Sequence, residues 1–383
     1  MENQSYRVAI LGAGAIGCAT AAFLSKQGIP VAMWSPTARR LRPKEFGQAQ
    51  FDCVGAVDAS IVVDQLNSLD ALSEYSHIFV CLPASLYRQV LTSATPYWRD
   101  GQTVIVSGAL SLVPLWIQRM AAANHVGLST VGWGTTLTTA HFLADGRLHI
   151  NALRDRIDMS WLPIHSDEIA TDEETRKSSG GTGGATKNAY FDCQRLFGDR
   201  FIPADSLLAS TLANINPIAH AAEVIPNLTR MDQGERWSLF GNFTSVVANI
   251  AEVLDRERLM LASHLGFTLP SLAQHYERSY HIPHGRLDEM AQAIEEQGAG
   301  PLGPDVLAHR YVLEDVPFGL VFMERLAQVC GVACPMLSAC ITLLESVYRE
   351  SFRVQNFLAK SLLPDGSSVE ELLVECNRAC AAS

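Results

Sequence analysis

The sequence predicts an α/β chain, with a doubly wound, mostly parallel sheet in its N-terminal part and an all-α part behind it. Three observations carry this. The chain opens on an apolar strand, a glycine-rich turn and a small-residue helix, RVAILGAGAIGCATAAFLSKQG at 7–28, followed by a second strand, PVAMW at 30–34. Further apolar strands follow at SIVVDQL (60–66), HIFVCLP (77–83) and TVIVSG (103–108), with the helical pattern LYRQVLTSATPYW at 86–98 between the last two. Beyond about residue 200 strand patterns nearly vanish, and helical periodicity runs through 206–229, 242–265, 286–297, 310–330 and 335–359.

Length and composition agree with this division. A chain of 383 residues exceeds what one core usually supports, so a dinucleotide-type domain over 1–200 and an all-helical domain over 201–383 are expected. Hydrophobic residues at 48% against 18% charged residues suit a compact protein with ample core. A net charge of -11 argues against nucleic acid as a partner, because phosphate binding needs a basic face. The start MENQSYRVAILGAG lacks the basic-then-apolar order of a secretory signal, and no apolar run reaches the roughly 18–20 residues of a membrane span. A cytoplasmic, membrane-free protein is expected. Nine cysteines scattered through apolar segments read as reduced core thiols. Cys330 and Cys334, and likewise His281 and His284, lack the further ligands of a metal site, so none is expected.

Along the N-terminal part, GAGAIG at 12–17 fits G-x-G-x-x-G in the context that gives the motif meaning, after a strand and opening a helix. Gly12 permits the tight turn, Gly14 lets the backbone approach a pyrophosphate, and Gly17 allows close helix packing; Ala15 and Ile16 supply N–H groups at the positive end of the helix. A Rossmann-type dinucleotide site is the reading. At the end of the second strand, where an acidic residue would bind a ribose 2′-hydroxyl, the sequence has Ser35, followed by Thr37, Arg39, Arg40 and Arg42. Hydroxyls and guanidinium forks favour a 2′-phosphate, hence NADP(H), with NAD also accommodated. Leu82, Pro83 and Ala84 follow a buried strand, where such folds place the loop beneath the nicotinamide. Extended runs at 128–142 and 147–162, joined by the turn ADGR, are expected to complete the sheet. SSGGTGGAT at 178–186 reads as a linker, without the Walker spacing of a phosphate loop.

In the helical part, NINPIAH at 214–220 reads as a helix start, with Asn216 as cap, Pro217 at the first helical position and His220 in the first turn. By itself His220 is either a satisfied core histidine or a proton-transfer group. HRYVLEDVPFGLVFMERL places Arg310, Tyr311, Glu314 and Asp315 at the start of a long apolar helix. These are either a solvated first turn or a source of partners: a carboxylate on one imidazole nitrogen fixes the tautomer and leaves the other free to exchange a proton.

GAGAIG, then N-x-N-P-x-x-H, then R-Y-x-x-E-D-x-P-x-G-L, in this order over nearly the whole chain, resembles the opine dehydrogenases of the octopine, nopaline and carboxyethyl-norvaline type. The resemblance implies an NAD(P)H-dependent reductive condensation of a 2-oxo acid, pyruvate or 2-oxoglutarate, with the amine of an amino acid. It implies His220 as proton donor and acceptor, Asp315 as its orienting partner, and a helical domain like that of 6-phosphogluconate dehydrogenase. Arg310 is the first candidate for a substrate carboxylate, or else an ion-pair partner of Glu314; Asn214 and Asn216 are candidates for holding substrate. Small-molecule substrates are the expected partners, and the apolar PMLSACITLLESVY suits either a core or a homodimer interface. Two other readings are a simple 2-oxo acid or ketopantoate-like reductase, which typically uses a lysine where His220 stands, and a non-catalytic NADPH-binding sensor.

Overall fold

A computed structural model describes residues 6–37, 40–164, 189–298 and 300–377. Arg39 and the 178–186 segment lie outside these residues.

The N-terminal part is a 12-stranded sheet with β1 (Val8–Leu11), β2 (Val31–Trp34), β3 (Arg42–Pro43), β4 (Gln48–Gly55), β5 (Ala59–Gln65), β6 (His77–Val80), β7 (Thr103–Val106), β8 (Ser129–Trp133), β9 (Thr138–Phe142), β10 (Leu148–Leu153), β11 (Ile157–Leu162) and β12 (Phe201–Pro203). The order is β12-β11-β8-β7-β6-β1-β2-β5-β4-β10-β9, with β3 paired only to β4. From β8 to β5 every pairing is parallel. Helices α1 (Ala15–Lys26), α2 (Tyr87–Ala94), α3 (Val113–Ala123) and α4 (Ala189–Phe197) cover the faces. Alternation along β1 sends Val8 and Ile10 into a core with α1 and α4, while Ala9 and Leu11 point into a second core shared with α2, α3 and the helical part. This is the doubly wound α/β domain, followed by helices.

β9 and β10 form a hairpin through the turn at 143–147, where Gly146 takes φ +85° and Asp145 accepts the Arg147 N–H. Only residues 134–137 separate β8 from β9, although the two strands stand far apart in sheet order. Four residues reach about 14 Å at most. The sheet therefore curls, and β9 packs on α1.

The C-terminal part comprises α5 (Leu207–Ala213), α6 (Asn216–Val224), α7 (Leu228–Asp232), α8 (Ser245–His264), α9 (Leu272–Tyr280), α10 (Leu287–Glu296), α11 (Arg310–Leu313), a π-helical turn (Val316–Leu320), α12 (Val321–Cys330), α13 (Pro335–Tyr348), α14 (Phe352–Gln355), α15 (Phe357–Leu362) and α16 (Val369–Cys376). The periodic stretches are shorter than expected because turns interrupt them. The pattern at 310–330 is not one helix but three pieces around the π turn, and 335–359 is broken at Arg349, which takes a left-handed φ of +54°. Strands β3, β4 and β12 and helices α3, α9 and α16 were not anticipated, and β12 carries the sheet just past the expected boundary at 200. The half-polar alternation of β4 belongs to a strand buried on one face only.

Candidate active site

The glycine turn is built as its sequence implies. Gly12 takes φ +115°, and a Cβ there would run into the Cys81 carbonyl, with Leu82 at its side. A Cβ on Gly17 would overlap the Gly12 carbonyl, so α1 can lie this close to the turn only without one. Gly14 is different: a Cβ there would meet nothing within 4 Å, and no side chain caps α1. Open space before uncapped N–H groups at a helix N-terminus fits a pyrophosphate.

At the end of β2, Ser35 is half-buried and Thr37 exposed. The Arg40 guanidinium lies 4.6 Å from the Phe142 ring centroid, and Arg42 pairs with Asp52 at 2.5 Å. Arg42 is thus already paired with a carboxylate. Leu82 is buried beside Gly12, and Pro83 precedes the short 3₁₀ turn Ala84–Leu86.

This loop meets the helical part directly. The Ala84 N–H donates to Oε1 of Glu314 at 3.0 Å, while Oε2 of Glu314 lies 3.7 Å from Nε of Arg310. Burial pushes the Glu314 carboxyl up from its ordinary range. Next in sequence, Asp315 has a side chain only 2% exposed, and its Oδ2 lies 2.6 Å from Nδ1 of His220, whose side chain is 12% exposed. An imidazole held this way by its Nδ1 presents Nε2 as the working nitrogen.

Two further contacts fix the ring. Tyr311 stacks on His220 with centroids 3.4 Å apart and planes within 10°. The His309 ring stands edge-on to Tyr311 at 4.5 Å, and its Nδ1 accepts the Tyr311 N–H at 3.3 Å, capping α11. His309 is held below its ordinary pKa, by burial first and then by the nearby His220 and Arg310. An acceptor role for its Nδ1 needs the neutral ring.

The π turn brings Asp315 to His220. Pro217 of α6 packs against Gly319, where a Cβ would sit 2.5 Å from the proline Cβ. The two motifs NINPIAH and RYVLEDVPFGL therefore touch at Pro217 with Gly319, at His220 with Asp315 and at His220 with Tyr311. A π turn leaves carbonyls without helical partners, and here Asn356 donates to the Pro317 carbonyl at 2.7 Å while the Ser111 hydroxyl donates to that of Phe318. Such turns concentrate at functional sites.

The structure places the remaining residues singled out in the sequence as follows, and corrects the capping and position of α6. Asn216 does not cap α6; it is the first helical residue, and its N–H donates to Oδ1 of Asn214 at 3.1 Å. The cap position of α6 is Ile215, without a side-chain cap; Asn214 ends α5, and its buried amide oxygen is committed to the Asn216 N–H. His220 is the fifth residue of α6, past its first turn. Arg310, with a side chain 52% exposed, lies beside Glu314, one of the two alternatives its sequence position left open. His281 closes α9 in a left-handed conformation, and His284 lies 3.2 Å from Glu277 on the surface.

Sequence reading missed Tyr311 as a stacking partner, Gly319 as a packing requirement and Glu223. Glu223 follows His220 by three positions on the same face of α6 and is 3% exposed, with an Oε2 that has no hydrogen-bond partner. Burial, and next the negative Asp315, raise its pKa to about 8. An acidic residue at i+3 from the histidine was the available signal.

A dinucleotide turn linked through Leu82, Ala84 and Glu314 to a buried histidine–aspartate pair defines a dinucleotide-dependent oxidoreductase. Residues 203–348 match the family model of the NAD/NADP octopine/nopaline dehydrogenase alpha-helical domain, and residues 8–159 match that of ketopantoate reductase PanE/ApbA. The opine dehydrogenase of Arthrobacter sp. (strain 1C) is 23% identical over 92% of this chain and 93% of its own. An octopine dehydrogenase structure in complex with NADH and agmatine superposes with a TM-score of 0.75 at 13% identity, over 96% of this chain and 98% of that one. A yersinopine dehydrogenase structure with NADP+ bound gives 0.63 at 14% identity over the full length of both. The chain is an NAD(P)-dependent oxidoreductase acting on CH–NH donors, similar over nearly its whole length to opine dehydrogenases.

Proposed function

We propose that the protein catalyses a reversible reductive condensation of a 2-oxo acid with the amino group of an amino acid, giving an N-(carboxyalkyl) amino acid. The observation that carries this reading is the 2.6 Å contact between His220 and Asp315, buried next to the loop that serves the dinucleotide. Bound NAD(P)H would supply the hydride, held through Gly12, Gly14 and Gly17 and the N-terminus of α1. His220 would deliver a proton from Nε2 to the imine nitrogen as the bond is reduced, and take it back in the reverse direction. Asp315 orients the ring and stabilises its charged form, and Tyr311 holds its plane. Arg310, half-exposed beside the cleft, is the group we assign to a substrate carboxylate.

Ser35 in place of an acidic residue, with Arg40 nearby, supports NADPH over NADH. The eight described cysteines are all free, which supports a reducing, cytoplasmic setting. Among the described residues no helix is long and apolar enough to cross a membrane.

The test follows NADPH oxidation with pyruvate, 2-oxoglutarate or glyoxylate, each with and without a panel of amino acids. Oxidation that needs both partners and is lost in His220→Ala is expected. Oxidation with the oxo acid alone would instead establish a simple reductase, the reading favoured by the ketopantoate reductase match over residues 8–159.

A further inference from the structure

We infer that Glu223 is the acid–base group of the condensation step, taking the proton from the incoming ammonium and returning it to the hydroxyl that leaves as water. The inference rests on the reductive condensation proposed above. Reducing an imine needs one proton donor, which His220 supplies. Forming that imine needs a second proton path, because an amino acid arrives as an ammonium that cannot attack a carbonyl, and the adduct must lose hydroxide.

Glu223 has the placement for this. It lies three positions beyond His220 on the same face of α6, so the two side chains are neighbours. Its Oε2 is buried without a partner, an arrangement that native proteins rarely leave uncompensated. Its electrostatic neighbours are Asp315, an anion, and the phenols of Tyr276, Tyr280 and Tyr311, from α9 and α11. A buried carboxyl set beside an anion and three phenols is a setting that a positively charged ligand complements. A carboxyl raised to about 8 is a much stronger base than an ordinary glutamate, which lowers the cost of taking a proton from an ammonium.

The step balances. The Glu223 carboxylate takes a proton from the ammonium, leaving the free amine. The nitrogen lone pair attacks the keto carbon of the oxo acid; the C–N bond forms, the C=O π bond breaks, and a proton passes from nitrogen to oxygen. Glu223 then protonates the hydroxyl and the C–O bond breaks, releasing water. The remaining N–H proton goes to His220 as the C=N bond forms. Glu223 ends as the carboxylate it began as, and His220 holds the proton that reduction requires.

The experiment runs the reaction backwards, where imine hydrolysis follows hydride removal. The probes are the N-(1-carboxyethyl) derivatives of norvaline, arginine and alanine, mixed rapidly with enzyme and NADP+ while absorbance at the reduced-nicotinamide band is followed. Glu223→Gln is expected to show a burst approaching one NADPH per site and then a steady state at least 100-fold below wild type, with KM falling in step and kcat/KM little changed, because a step after hydride transfer then limits turnover. Glu223→Asp is expected to restore part of the steady rate. A Glu223→Gln variant that folds, as read by circular dichroism, yet turns over like wild type would overturn the inference. So would one whose first turnover slows in parallel with its steady state. Wild-type enzyme inert toward every probe and toward the amino-acid panel in the forward direction would instead remove the underlying reaction.

Discussion

Gly319 and Pro217 meet with no room for a Cβ between them: a methyl on Gly319 would lie 2.5 Å from the proline Cβ. The π turn that carries Gly319 begins right after Asp315, and Pro217 stands one turn before His220 on α6. One backbone contact thus sets the distance between the imidazole and its carboxylate. Gly319→Ala would push the π turn off α6. The expected outcome is a loss of about 1–3 kcal/mol in stability from overpacking, together with a larger fall in kcat than that loss explains. Thermal melts beside steady-state kinetics check it, and an alanine variant of full activity would refute the coupling.

Asp315→Asn keeps the size of the side chain and removes its charge. With Nδ1 no longer facing a carboxylate 2.6 Å away, the tautomer with Nε2 as acceptor loses its preference and the imidazolium loses its stabilisation. A kcat lowered by about 10²–10⁴-fold is expected, with KM changing much less. Tyr311→Phe, which keeps the ring stacked at 3.4 Å, should leave most of the rate; Tyr311→Ala should not. Equal losses in the two tyrosine variants would show that the phenol, not the stacking, matters.

Asn356 lies outside both motifs yet holds the π turn. It donates to the Pro317 carbonyl at 2.7 Å and to Ser111 at 3.1 Å, and its Oδ1 accepts the Ala359 N–H at 2.9 Å. Asn356→Leu leaves buried backbone groups unpaired, so a loss of about 1–3 kcal/mol is expected by denaturant unfolding. A stability within experimental error of wild type would show that the turn satisfies itself.

The reach of the sequence is visible in these same residues. Gly12, Gly14 and Gly17 were legible because a strand, a turn and a helix in fixed order leave few conformations for them. His220 and Asp315 were legible as a pair only through motif order, since 95 residues separate them. The π turn was not legible: VPFGL has helical periodicity, and what unwinds it is packing against Pro217 and hydrogen bonds from Ser111 and Asn356, remote in sequence. The same holds for Arg310, whose partner Glu314 was foreseen as an alternative, while the link from Glu314 to the Ala84 N–H depends on how the two parts of the chain meet. Asn216 lost the cap position because the helix starts one residue earlier than the proline suggested, leaving Ile215 at the cap.

Glu223 gives the protein a stability that depends on pH. In the unfolded chain its carboxyl titrates near 4.5; in the folded protein burial holds it at about 8. Below pH 4.5 both states bind the proton. Between the two values the folded state keeps a proton that the unfolded state has released, so stability falls as pH rises across this window and levels off above it. The decline attributable to this group is on the order of a few kcal/mol. Glu223→Gln, which carries no titrating proton, should remove this component and be more stable than wild type at pH 8 but not at pH 4.5. Parallel stability-against-pH curves for the two proteins would show that the carboxyl is not raised.

The proposed preference for NADPH rests on Ser35 and Arg40. An anion at position 35 would accept hydrogen bonds from a ribose 2′-hydroxyl and repel a 2′-phosphate, and Arg40, over Phe142, is the group we propose for neutralising that phosphate. Ser35→Asp is therefore expected to raise KM for NADPH by 10-fold or more while leaving that for NADH level or lower. Arg40→Ala should raise KM for NADPH alone. The ratio of kcat/KM for the two dinucleotides, measured at fixed ionic strength because the contact is charged and exposed, reports the difference. A ratio unmoved by both substitutions would place the 2′ end of the cofactor away from this loop.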